Sequence, residues 1–85
     1  MLIKYLLFIL FLLIGCQNNP IDSFINKSNQ YRIDKEYSKA VIELKKAEKL
    51  HKENKRIDEV YFLLGEIFLN DIKDYSYAIN EFKKI

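Results

Sequence analysis

The stretch Val60-Tyr61-Phe62-Leu63-Leu64-Gly65-Glu66-Ile67-Phe68, followed at a short distance by Tyr75-Ser76-Tyr77-Ala78-Ile79-Asn80-Glu81-Phe82, decides the fold. Val60, Tyr61, Leu64, Ile67 and Phe68 recur three or four positions apart, as do Tyr75, Ala78, Ile79, Phe82 and Ile85. That period places each set on one face of a helix, and the strict alternation of a half-buried strand never appears. Working outward, Phe24, Ser28 and Tyr31 form an earlier segment of the same kind, and Tyr37, Ala40, Val41, Leu44 and Ala47 another. Polar breaks at Ile33-Asp34-Lys35, Lys52-Glu53-Asn54-Lys55 and Asn70-Asp71-Ile72-Lys73-Asp74 separate four helices. Asp22, Asp58 and Asp74 stand where an N-cap carboxylate would accept unpaired backbone N–H groups and meet the positive end of the helix dipole. With two glycines, one proline and abundant Leu, Ile, Lys and Glu, the chain reads as all-α.

The spacing Tyr61-x2-Leu64-Gly65-x2-Phe68, then Tyr75-x2-Ala78-x3-Phe82, resembles the tetratricopeptide repeat, a helix-turn-helix of about 34 residues. The resemblance implies that Gly65 lies where two helices approach closely, which would justify a residue costing ~1 kcal/mol inside a helix. Ala78 would serve the same approach from the other helix, with Tyr61, Phe68, Tyr75 and Phe82 filling the space around it. The first two segments match less closely: Phe24, Ser28 and Tyr31, then Tyr37, Ala40, Leu44 and Ala47, with Lys27 where leucine is expected. Gly65 and Ala78 are one residue further apart than Ser28 and Ala40, so the turn at Asn70-Asp71 should be longer. The charged stretch from Ala47 to Ile57 should extend the second helix. Two helix-turn-helix units, an α-solenoid fragment over about residues 21–53 and 57–85, are thus expected.

Ahead of this domain lies Lys4, an apolar run from Tyr5 to Ile14, then Gly15 and the only cysteine, Cys16. A basic start, a 7–15-residue apolar run and small residues before a cut describe an export signal. A spanning helix needs about 20 apolar residues, roughly twice this run. Leu13-Ile14-Gly15-Cys16 resembles the lipobox of bacterial lipoproteins, in which a peptidase cuts before a cysteine already carrying diacylglycerol. The resemblance implies a signal peptide at residues 1–15, removal of which leaves Cys16 as the first residue. Cys16 would carry diacylglycerol and an N-acyl chain, palmitate among them, and residues 16–20 would tether the helical domain of residues 21–85. A lone cysteine has no disulfide partner within the chain, so lipidation gives it a use. Two or more acyl chains hold a protein stably on its membrane, at roughly 0.8 kcal/mol per buried methylene.

Composition excludes several functions. A net charge of +2 in 85 residues implies no strong electrostatic partner, and an exported protein rarely meets nucleic acid. His51 is the only histidine, so no imidazole pair or Cys/His cluster can bind a metal. Glu43, Glu48, Asp58 and Glu59 read as surface charge with lysines nearby, and phosphate loops, nucleophile elbows and HExxH are missing from the sequence. No enzyme, cofactor or small-molecule substrate is indicated. Lys45, Lys46, Lys49, Lys52, Lys55 and Arg56 form the densest basic run, which reads as a solvated helix end with some capacity to touch anionic headgroups.

The expected protein is a bacterial envelope lipoprotein that binds another envelope protein through its helices, with Tyr31, Phe62, Tyr77 and Ile85 as candidate anchors. Repeat stacks need about three units for independent stability, so two units imply a homodimer, a larger partner, or a truncated remnant of a longer repeat protein. The Phe82/Ile85 side should lie open. A rival from another class is a small membrane-inserted protein with an uncleaved N-terminal helix.

Overall fold

The helical periodicity becomes four α-helices in the computed structural model, which describes residues 19–85: α1 (Ile21–Ile33), α2 (Tyr37–Leu50), α3 (Ile57–Glu66) and α4 (Tyr75–Lys83). No strand occurs among the described residues, so the chain is all-α there. No described helix is long and apolar enough to cross a membrane. The export segment and Cys16 lie outside the described residues.

Helices α1 and α2 pack as one antiparallel pair, α3 and α4 as a second, and α2 lies against α3 between them. Ile21, Ala40, Leu44, Ala47, Val60, Leu64 and Ile67 form the fully buried centre. Each large apolar side chain there contributes roughly 1.5–3 kcal/mol by leaving water. Phe24, Ile25, Tyr31, Tyr37, Val41, Leu63 and Phe68 close its rim.

The two pairs turn with the same device. Lys35 and Lys73 both adopt left-handed backbone, with φ of 61° and 64°, and each is followed by an acid, a tyrosine, a serine and, two positions on, a buried alanine. After α1 the Glu36 amide reaches back to the Tyr31 carbonyl (2.8 Å) and the Lys35 amide to Arg32 (3.0 Å), the paired bonds of a Schellman stop. After α3 the equivalent bond spans one residue more, from the Asp74 amide to Phe68 (2.7 Å).

The extra residue of the second pair is the cause. It does not lengthen the turn at Asn70-Asp71, as the sequence led us to expect. Residues Ile67–Ile72 continue α3 as a π-helix, whose wider i→i+5 ladder absorbs the insertion inside the helix. The turn itself shrinks to Lys73 and Asp74.

Two further expectations need correction. The second helix is not extended to Ile57: it stops at Leu50, and residues 51–56 form a loop. Asn54 holds that loop. Its side-chain Oδ1 accepts the Arg56 amide (2.9 Å), and it exchanges two side-chain hydrogen bonds with Asn19 (2.7 and 3.1 Å). Such side-chain bonds to nearby backbone compete with helix continuation. Of the three expected caps, only Asp74 acts as one, accepting the Tyr77 amide at 3.3 Å. Asp22 and Asp58 fall inside the first turns of α1 and α3, because Asn19 accepts the Ile21 amide and Arg56 occupies the cap of α3.

Candidate interaction surface

Gly65 lies buried in the second pair, where a Cβ would collide with the ring of Phe82. Its backbone is ordinary right-handed helix, so glycine is required for space rather than for conformation. Phe82, not Ala78, is thus the group for which Gly65 makes room; Ala78 is itself buried on α4. Phe82 also meets Phe62, ring centres 6.0 Å apart. Leu64 and Tyr61 are buried, and Phe68 is half-buried and stacked on Tyr77 at 5.1 Å. Tyr75 departs from expectation: it is 59% exposed, in the first turn of α4. In the first pair Ala40 and Leu44 are fully buried and Tyr37 is half-buried.

Aligning Ser28 with Gly65 and Ala40 with Ala78 brings the two pairs into register residue by residue. Ile25 then corresponds to Phe62, Tyr37 to Tyr75, Val41 to Ile79, Leu44 to Phe82 and Ala47 to Ile85. The first set packs into the core, much of it under the second pair. Among the described residues no third helix pair lies over the second set. Phe62, Tyr75, Ile79 and Ile85 are about half exposed, along with Leu69 and Ile72. Beside Phe62 a cavity of about 410 Å³ opens, lined by Ile25, Leu63 and Ile85 and rimmed by Arg56, Asp58 and Glu59. Of the expected anchors, Phe62, Tyr77 and Ile85 are exposed, while Tyr31 is half-buried in the first pair.

A charged cluster locks the two pairs together on the α2–α4 side. Glu81, 2% exposed, receives Lys45 at 2.7 Å and Lys84 at 3.2 Å. Both lysines also reach Glu48 at 3.3 Å, and the Lys84 ammonium stands 5.6 Å from the centre of the Tyr61 ring. Partial burial would lower the Lys45 pKa, but its bond to Glu81 and the charges of Glu81 and Glu48 outweigh it and hold the pKa above 10.5. Desolvation likewise pushes Glu48 up, and the Lys45 charge with hydrogen bonds from Lys84 and Lys45 brings it below 4.5. Burial, seconded by Glu48, raises the Tyr61 phenol.

No protein-family model, curated protein or solved structure matches this chain.

Several charges lie elsewhere than their spacing suggests. Glu43 and Glu48 are not on exposed faces: Glu43 is buried beside Lys46, and Glu48 is half-buried in the cluster. The burial of Glu81 is not legible in the pattern, because a lone carboxylate among apolar neighbours matches the wet side of a helix. A signal was present, since Glu43 and Glu81 align between the two pairs, each with a lysine three residues on. Half of the basic run is paired internally: Lys45 with Glu81, Lys46 with Glu43, Arg56 with Asp22 and Glu59. His51 is the C-cap of α2, half-buried with its ring 5.9 Å from that of Phe24.

Proposed function

We propose that this chain is a lipid-anchored protein of the bacterial envelope that holds a partner protein on its helical domain, without catalysis. The observation that carries the scaffolding half is the outer face of the second pair, where Phe62, Tyr75, Ile79 and Ile85 stand exposed at positions whose counterparts in the first pair pack inward. An apolar strip of this kind, rimmed by charge, marks an association surface. The tetratricopeptide-like spacing of the two pairs supports the same reading, since such units present helix faces to other helices. Support for the anchor is the sequence Leu13-Ile14-Gly15-Cys16 behind a short apolar run. Diacylglycerol on the Cys16 sulfur and an acyl chain on its amine would keep the domain at a membrane, with residues 17–20 as a tether.

The anchor is tested by palmitate labelling and intact-mass measurement in a bacterial host. Wild type is expected to lose residues 1–15 and to gain lipid mass, and Cys16→Ser to remain uncut and unlabelled. An uncut wild-type chain that ignores globomycin supports instead a small membrane-inserted protein and overturns the anchor.

A further inference from the structure

We infer that the outer face of α3 and α4 seats an amphipathic helix pair from a partner protein, one that presents branched apolar residues three and four apart and a carboxylate opposite Lys83. The inference deepens the scaffolding half of the proposed function and is independent of the lipid. Its basis is the molecule's own repetition. The first pair displays on its corresponding face Ile25, Tyr37, Val41 and Leu44, and α3 covers that face with Val60, Leu64 and Ile67. What already covers the first face defines what fits the second.

Charge points the same way. Lys45, on α2, crosses to Glu81 of the next pair at 2.7 Å. Its counterpart one pair later is Lys83, which is exposed and makes no ion pair among the described residues. A carboxylate placed on an incoming helix as Glu81 is placed on α4 would meet Lys83 as Glu81 meets Lys45.

A second copy of this chain is a poor occupant. Stacked head to tail it would present Ser23, Lys27 and Gln30 where the covering helix has Val60, Leu64 and Ile67, and all three are exposed polar residues. The stripe of α1 is therefore the wrong chemistry for the open face, and the occupant we infer is a helix whose inward stripe is apolar.

The test lengthens the full chain past Ile85 with a copy of its own residues 48–85, which supplies the inferred partner chemistry in register. The lengthened protein is expected to unfold in urea in one transition, at a higher midpoint than the parent and with a slope about 1.5 times as steep, because the slope follows the surface exposed. Lys83→Ala is expected to lower the midpoint of the lengthened chain while leaving the parent unmoved, and Glu81→Gln within the copy to reproduce that loss. Separate transitions with an unmoved parent midpoint, or equal loss in both chains from Lys83→Ala, overturn the inference. A photoreactive benzoylphenylalanine at Ile79 in the membrane-borne protein then reads the natural occupant. Adducts on an acidic amphipathic helix support the inference; adducts confined to lipid or to a second copy, or absent altogether, overturn it. Intact mass on the same sample reports the state of Cys16, so a failed anchor is seen separately from a failed docking face.

Discussion

The first and second helix pairs are built to one register yet treat water differently. Among the described residues ten large apolar side chains are exposed: Ile33, Ile42 and Leu50 in the first pair, scattered singly, and Phe62, Leu69, Ile72, Tyr75, Tyr77, Ile79 and Ile85 in the second. The centres differ too. Ser28 occupies the close-approach position of α1, buried with its hydroxyl unpaired, where Gly65 stands in α3 against the Phe82 ring. A shared pattern of helix spacing therefore does not make two faces equivalent; what lies over each face does. The first pair is covered and tolerates a merely adequate fit, while the second is close-packed inside and open outside.

The sharpest way to break this contrast is to give both pairs alanine at the close-approach position. Gly65→Ala is expected to lose about 2 kcal/mol in chemical denaturation, because overpacking against a ring costs more than the ~1 kcal/mol that alanine gains in helix propensity. In a Phe82→Ala background the same change should become stabilising. Ser28→Ala should gain up to about 1 kcal/mol by removing an unsatisfied buried hydroxyl. A Gly65→Ala protein as stable as wild type would show that the pairs are packed alike.

Next in size is the charged lock between the pairs. Glu81→Gln should cost about 1.5 kcal/mol, the usual worth of a hydrogen bond to a charged group, whereas Glu43→Gln, with one lysine at 3.3 Å, should cost about a third of that. The lock also sets a pH window. Glu48 is held below 4.5 in the folded state, so its contribution is present above that pH and is lost as the pH falls through the lowered folded value. Lys45 is held above 10.5, so its contribution is complete below that pH and disappears as the pH rises through the raised folded value. Stability measured from pH 3 to 12 should fall at both ends, and Glu81→Gln should flatten the alkaline fall. An unchanged alkaline limb would remove Glu81 from the lock.

The smallest effect on stability should come from the open face. Ile79→Ser is expected to shift unfolding by less than about 0.5 kcal/mol, as exposed substitutions do. Under the proposed docking it should nevertheless weaken capture of the partner severalfold, with Ile42→Ser on the first pair as the neutral control. Equal capture by both variants would erase the difference between the faces.

Particular residues show how much was legible beforehand. The Gly65-to-Phe82 spacing was readable because helical period and residue size are both local properties of the chain. Leu44 and Ala40 followed from the same period. Tyr75 did not: its spacing suits a buried face, but its place in the first turn of α4 leaves it in water. The added residue of the second pair was visible as a count, but whether a turn or a helix absorbs it depends on the registry that packing demands. Glu81 was the largest omission, since the burial of a carboxylate depends on two lysines, one of them on another helix.

Taken alone, the order of residues determined that the domain is helical, that four helices follow one another, and which stripe of each is apolar. These depend on interactions within three or four residues, which any helix of this composition makes. Tertiary structure decided which apolar stripe is covered and which stays bare, that Glu81 is enclosed, and that an inserted residue becomes a π turn. Each of those is settled by what a neighbouring helix brings within a few ångströms, and that neighbour is remote along the chain.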